Sequence, residues 1–321
     1  MPDRGTRIAI VSLAVVVIAA CGGSAVRLPG SIDPPREVGP TPAPATLRVR
    51  VNGTTQRVRL SDYVVGTTLS EITPTGESAT TVARVYEVQS VVARSWALAH
   101  LGRHRADGFD LCDETHCQLY QPDRLRTSSF ARAASDAERR TRGRVLWYGG
   151  QPVDAVFHAD CGGHTTTPTT AWNGTDFPYL PARADQVPGV RHRTWTFELS
   201  AAEWRTLLNG DGRTAVGNVF GGMAVVRTGP GDRVTQLRIS GSRERMVSGE
   251  VLRIVVGAAR GPRAVMSSRF SVETSDTGIR LIGTGFGHGV GLCQVGAMAR
   301  ARRGDSLADI LKHYFPGTEL Q

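Results

Sequence analysis

Four short segments of the 321-residue sequence gather side chains able to hold a metal or move a proton. In the first, Arg103-His104 is followed after seven residues by Cys112-Asp113-Glu114-Thr115-His116-Cys117-Gln118. Two cysteines with four residues between them, and with His104 and His116 nearby, can offer three or four soft ligands to one zinc ion. The same cysteines suit a small-loop disulfide in an oxidising compartment, and spacing does not choose between the two. The second segment, Phe157-His158-Ala159-Asp160-Cys161-Gly162-Gly163-His164-Thr165, sets polar groups beside two glycines. It reads as a tight turn with a disulfide cysteine in preference to a Cys-His nucleophile, because sequence proximity does not aim a base at a thiol. The third runs from Gly283 to Gln294 with glycine at alternate positions to Gly291. No frame fits G-x-G-x-x-G and there is no phosphate-loop lysine, so nucleotide binding is unsupported. A backbone-walled groove presenting His288 and Gln294, or a purely structural glycine loop, remains. The last segment is Tyr63 to Pro74, an apolar run that ends on one carboxylate, Glu71.

The rest of the sequence says what carries these segments. Arg4 and Arg7 precede an apolar run from Ile8 to Ala20. Such a run rises about 20 Å as a helix, short of the roughly 30 Å bilayer core, and reads as a secretory signal spanning 1–20. Ile18-Ala19-Ala20-Cys21 resembles a bacterial lipobox, which implies cleavage before Cys21, lipidation of its thiol and an exported chain held on a bacterial membrane, facing the cell wall or periplasm. Residues 21–45 are rich in proline and form a linker. The chain as a whole is 40% hydrophobic, and the body, 46–321, is long enough to bury a core. The net charge of +9 comes almost wholly from arginine, with Lys312 the one lysine. That balance suits anionic polymers, but no dense basic run or nucleic-acid motif is present, so DNA and RNA are excluded as expected partners.

Asn52-Gly53 between two alternating segments predicts a hairpin. Residues 81–102 carry a helical apolar stripe, and Ser306 to Phe315 reads as a capped final helix. Strand-like runs are Val145–Tyr148, Ala155–Phe157, Ala224–Val226, Val234–Ile239, Val251–Val256 and Ile279–Ile282. Many strands and few helices without β-α alternation predict a mixed, strand-rich α+β domain.

In order along the chain, the motifs resemble the SpoIID/LytB family of cell-wall proteins, the stage II sporulation protein D and amidase-enhancer relatives. Tyr63-Val-Val-Gly66 with Glu71 resembles Y-V-x-G…E-M-P, here with Ile-Thr-Pro after the glutamate. Gln89 to Ala97, including Arg94 and Trp96, resembles the A-Q-A-V-A-A-R-T-Y-A helix. Thr115 to Tyr120 resembles T-H-C-Q-x-Y, Phe157 to Thr165 resembles F-H-S-x-x-G-G-H-T, and Gly285 to Gln294 resembles G-x-G-H-G-V-G-x-S-Q.

The resemblance implies a SpoIID-like fold and lytic transglycosylase activity on peptidoglycan, with Glu71 as sole acid and base cleaving between N-acetylmuramic acid and N-acetylglucosamine. It implies zinc on His104, Cys112 and Cys117, with His116 in reserve. Arg94, Gln118, His164, His288 and Gln294 are the expected substrate-binding residues. The enhancer branch implies the alternative of a non-catalytic wall-binding module that recruits or stimulates an amidase; a hydrolase built on Cys161 is a weaker reading. Two departures stand out. The family helix opens E-A-L-K, whereas here Arg84 replaces the glutamate and Glu87 the lysine. Cys161 and Cys293 replace serine-like positions in the two glycine motifs, which suggests a disulfide joining them.

Overall fold

The computed structural model describes residues 43–321, so the expected signal, Cys21 and nearly all of the linker lie outside the described residues. Strands β1 (Thr46–Val51) and β2 (Thr54–Arg59) make the expected hairpin, paired from Thr46–Arg59 to Val51–Thr54. Asn52 and Gly53 have φ of 49° and 80°, the two positive values a type I′ turn requires. Next come α1 (Leu60–Glu71), α2 (Ala79–Ala99), β3 (Leu111–Cys112), α3 (Arg124–Thr127), α4 (Ala131–Arg140), β4 (Leu146–Tyr148), β5 (Gln151–Pro152), β6 (Phe157–His158) and α5 (Pro168–Trp172). A second group follows: β7 (Thr194–Leu199), α6 (Ala201–Asn209), β8 (Phe220–Gly229), β9 (Arg233–Gly241), β10 (Arg245–Val247), α7 (Gly249–Arg260), β11 (Phe270–Thr274) and β12 (Ile279–Thr284). The chain closes with β13 (Leu292–Cys293), α8 (Gln294–Arg303), α9 (Leu307–Tyr314) and β14 (Glu319–Leu320). Among these described elements, no helix is long and apolar enough to cross a membrane.

The architecture is mixed α+β, as expected, but the expected continuous body holds two apolar cores. One gathers Leu47 and Val49 of β1, Tyr63 and Leu69 of α1, the buried face of α2 and, from the far end of the chain, Ile310, Leu311 and Phe315. The other is built on Trp195, Trp204, Leu237, Leu252, Val256 and Leu281. It lies between two three-stranded antiparallel sheets, β10-β9-β8 and β11-β12-β7, with α6 and α7 packed on them. The chain thus leaves the first core, builds the second and returns. At the return, β13 pairs in parallel with β6, Leu292 beside Phe157 and Cys293 beside His158. Gly283 belongs to this second unit by necessity, because a Cβ there would lie 2.1 Å from the Trp195 ring.

Helices are more numerous than the sequence pattern predicted. The Val251–Val256 run, expected as a strand, lies inside α7, where Ser248 caps the first turn by accepting the Val251 N–H. Leu252, Val255 and Val256 fall on its buried face, and this three-and-four spacing overrides the β preference of valine. The Tyr63–Leu69 run is buried on every side within α1, so it shows no helical stripe to read. The Ala155–Phe157 run contributes only Phe157 to β6.

Arg94 is not a groove residue. It is 2% exposed, and its guanidinium donates to the carbonyls of Thr141 (2.9 Å) and Arg144 (3.0 Å) and to Glu138 Oε1 (3.3 Å). Its work is to fasten α2 to α4 and the turn that follows. Arg94→Ala should leave Glu138 buried with Arg142 alone and cost about 3 kcal/mol, as breaking a buried pair does. Arg94→Lys, with fewer donors, should cost less. Urea unfolding checks both as a lower midpoint at unchanged slope.

Candidate functional site

Glu71 is the last residue of α1, where the buried helix reaches the edge of the first core. The segment after Cys117 wraps this helix end. Gly66 makes the approach possible, since a Cβ there would lie 2.4 Å from Cε2 of Tyr120. The Tyr63 and Tyr120 rings then lie 5.2 Å apart. The Leu119 N–H donates to Glu71 Oε1 at 2.8 Å, the Gln121 N–H donates to Ser70 Oγ at 3.0 Å, and the Arg124 guanidinium donates to the Leu69 carbonyl.

The Glu71 side chain is half-buried, and no arginine forms an ion pair with it among the described residues. Burial pushes its pKa up from 4.5 to about 7, while the Leu119 hydrogen bond pulls the other way. The negative end of the α1 dipole also disfavours the carboxylate. A carboxyl group poised near neutrality can donate a proton and take one back.

The residues that replace the family's E-A-L-K pair satisfy each other. Arg84 Nη1 lies 2.9 Å from Glu87 Oε2, and Glu87 Oε1 takes a second bond from Arg140 Nε at 2.6 Å. The exchanged charges form a local network on α2 and α4.

The donor atoms of His104, Cys112, His116 and Cys117 all lie within 4.8 Å of one another. His104 Nε2 is 3.3 Å from Cys117 Sγ, His116 Nε2 is 3.2 Å from Cys112 Sγ, and the two nitrogens are 3.2 Å apart. Ligands of one tetrahedral zinc, held at about 2.0 Å for nitrogen and 2.3 Å for sulfur, sit at comparable separations. The outer ring nitrogens face carboxylates: His104 Nδ1 lies 3.7 Å from Asp107 and His116 Nδ1 lies 3.5 Å from Glu114. That arrangement favours a proton on Nδ1 and leaves Nε2 free to ligate. Cys112 and Cys117 are free thiols, and β3 pairing with β1 anchors Cys112. His116 therefore stands with the other three in one group of four donors.

Of the remaining expected binding residues, Gln118 and Gln294 are buried, and His164 and His288 are half-buried. Gln118 is buried and donates to the Ala93 carbonyl at 3.2 Å. Gln294, also buried, opens α8 and donates to Gln89 Oε1 at 3.4 Å, linking α8 to α2. Both nitrogens of His288 are spent on backbone: Nε2 meets the Phe157 carbonyl at 2.8 Å and Nδ1 accepts the Val290 N–H at 3.1 Å. Burial lowers its pKa to about 4, so it is neutral. His164 Nδ1 is 2.6 Å from the Thr165 carbonyl, and its own carbonyl abuts Gly231 in the turn before β9. Cys161 and Cys293 are brought together as buried free thiols, with the Cys161 N–H donating to Cys293 Sγ at 3.2 Å. The Leu119 N–H was not foreseeable as the partner of Glu71, because a backbone donor leaves no residue-type signal; the Gly66 and Tyr120 pair was the available clue.

Comparison with known proteins agrees with this layout. The family described as Stage II sporulation protein matches residues 51–148, and a domain of unknown function, DUF8618, matches 189–291, the second core. The chain is 29% identical over 266 residues to an uncharacterized protein of Brachyspira hyodysenteriae, covering 82% of this chain and 67% of that one. It is 26% identical over 285 residues to stage II sporulation protein D of Bacillus subtilis, covering 84% of this chain and 76% of the relative. The amidase enhancer of the same organism is 26% identical over 284 residues, 73% of this chain but 37% of the larger protein.

The raised pKa has a stability consequence. Below the unfolded value of 4.5 both states are protonated; above it the unfolded chain ionises while the folded chain holds its proton to about 7. Stability from this group therefore falls as pH rises across that window, by roughly 3 kcal/mol at 1.36 kcal/mol per unit. Denaturant unfolding from pH 4 to 8 should show the fall in wild type and its absence in Glu71→Gln.

Proposed function

Because this chain belongs to the SpoIID/LytB family, we propose that it cleaves peptidoglycan glycan strands as a lytic transglycosylase with Glu71 as its single acid and base. The observation that carries this reading is the half-buried Glu71 carboxyl, held by the Leu119 N–H and poised at about 7. Protonated, Glu71 donates to the glycosidic oxygen as the bond to C1 of N-acetylmuramic acid breaks. As carboxylate it takes the proton of the sugar's C6 hydroxyl, which attacks C1 and closes a 1,6-anhydro ring. One group suffices because the nucleophile belongs to the substrate, unlike the two-carboxylate arrangement of hydrolases. The Leu119 N–H fixes one carboxyl oxygen, which leaves the other to face the sugar.

Zinc fits the donors of His104, Cys112, His116 and Cys117. Its chemistry there is structural: it would close the 104–117 loop on itself, and that loop leads directly into Gln118, Leu119 and the Glu71 hydrogen bond. The lipid anchor at Cys21 would hold the domain beside its polymer. The match to the amidase enhancer supports the second reading, a wall-binding module that recruits or stimulates an amidase. A nucleophilic Cys161 is disfavoured, because its side chain is wholly buried.

Digestion of intact and peptide-free glycan strands, followed by mass spectrometry, distinguishes the readings. Wild type should yield 1,6-anhydro-muramic ends, and Glu71→Gln should lose at least the ~10²–10⁴-fold that general acid catalysis contributes while still binding glycan. Strand binding without any anhydro product from wild type would leave the binding module. A second measurement concerns the metal: protein prepared without chelator should hold zinc that the Cys112→Ser/Cys117→Ser pair loses, with a lower unfolding midpoint. A Cys112–Cys117 disulfide in the native chain would exclude it.

A further inference from the structure

We propose that His158, Cys161 and Cys293 form a second metal site, for one soft, thiophilic ion, zinc(II) or copper(I). Their donor atoms lie within 4.8 Å of one another, and the three residues are 4%, 0% and 0% exposed. His158 Nδ1 faces the Val290 carbonyl at 3.1 Å, so that nitrogen carries the proton. Nε2 is left with its lone pair, buried and without a hydrogen-bond partner among the described residues. Such a nitrogen is costly unless something accepts its electrons. Burial keeps the ring neutral, the form that ligates.

The sulfurs are surrounded by donors. Cys293 Sγ accepts the N–H groups of Cys161 at 3.2 Å and Gly296 at 3.4 Å, the latter as the cap of α8. Cys161 Sγ accepts the Gly163 N–H at 3.3 Å. This return of the chain onto the sulfur needs the positive φ of Gly162 (74°) and Gly163 (97°). Burial pushes the Cys293 thiol up, so the free sulfur keeps its proton, while the N–H donors and the helix N-terminus face it as they would face a metal-bound sulfur. A positive charge lies beside them. Arg233 is fully buried and donates to Ser268 Oγ (3.2 Å), the Gly287 carbonyl (3.1 Å) and the Cys161 carbonyl (3.4 Å). Among the described residues no carboxylate forms an ion pair with it; Glu250 acts on its charge from further away, and bound thiolates would offset it from closer by. The Cys161 thiol donates to Asp185 Oδ2 at 3.5 Å, but that carboxylate is held by another network: Tyr314 Oη donates to Oδ2 at 2.8 Å, while Arg300 and His313 hold Oδ1. The site is therefore two sulfurs and one nitrogen, a donor set that selects zinc or copper(I) over harder ions.

Binding releases the two thiol protons to solvent and joins metal to both sulfurs and Nε2, with no change of oxidation state. It would pin β6 to β13, where the chain returns from the second core. A Cys161–Cys293 disulfide would also join these strands, but it would leave the His158 nitrogen unpaired.

The test uses the full chain purified without chelator or reductant from medium containing zinc and copper, with metal counted by mass spectrometry. Cys112→Ser/Cys117→Ser should retain one ion per chain, and Cys161→Ser/Cys293→Ser should lose one relative to wild type. X-ray absorption on the first variant should find two sulfurs and one nitrogen around that ion, and the absorbing edge identifies it as zinc or copper. An unchanged metal count in the second variant would overturn the proposal. Because either variant can fail to fold, wild type is also mapped by nonreducing peptide analysis. There, Cys161 joined to Cys293, or both thiols free with no ion beyond that at the 104–117 loop, would overturn it as well. Neither result bears on the role of Glu71.

Discussion

The hydrogen bond from the Leu119 N–H to the Glu71 carboxyl sits where two parts of the chain far apart in sequence are packed together. One is the buried helix α1, whose C-terminal end delivers a carboxyl group to the edge of the core. The other is the segment that leaves the His–Cys cluster. Burial raises the carboxyl's pKa, and the hydrogen bond limits the rise, so the two effects set the group near neutrality. Much of the first core serves this contact: Gly66 admits Tyr120, Ser70 receives Gln121, and Arg124 closes over the helix end.

The same economy of buried polar groups explains the rest of the interior. Arg94, Gln118, His288 and Gln294 look like ligand-binding residues in a motif, yet each makes a hydrogen bond to the protein's own framework. A long polar side chain can join elements far apart in sequence, as Gln294 joins α8 to Gln89 of α2. The cost of leaving such a group unpaired makes these links specific. In this chain the motifs mark internal joints as much as surface chemistry.

The two cores divide the labour. The first holds Glu71 and the four-donor cluster; the second contains most of the antiparallel sheet and is entered and left through the Phe157–His158 and Leu292–Cys293 strands. Asp160 sits at that crossing and ties it to the linking segment, accepting the Arg193 N–H at 2.7 Å and meeting His192 at 2.7 Å. The glycine loop returns the chain to the first core, with Gly289 giving room to the Arg233 guanidinium, which a Cβ there would approach to 2.2 Å.

Features with local causes can be read directly from the order of residues. The Asn52-Gly53 turn, the α2 stripe and the Ser306 cap were legible because turn chemistry, periodicity and capping act within a few residues. Glu71 and the two His–Cys pairs were legible as residue types in motif order. Tertiary structure decided everything that depended on burial. It turned Val251–Val256 into a helix, because its apolar face could be covered by the second core. It withdrew Arg94 from the surface, tied both nitrogens of His288 to backbone and drew His116 into the donor cluster. It also raised the Glu71 pKa, since desolvation depends on what packs around a group and no neighbour in sequence supplies it.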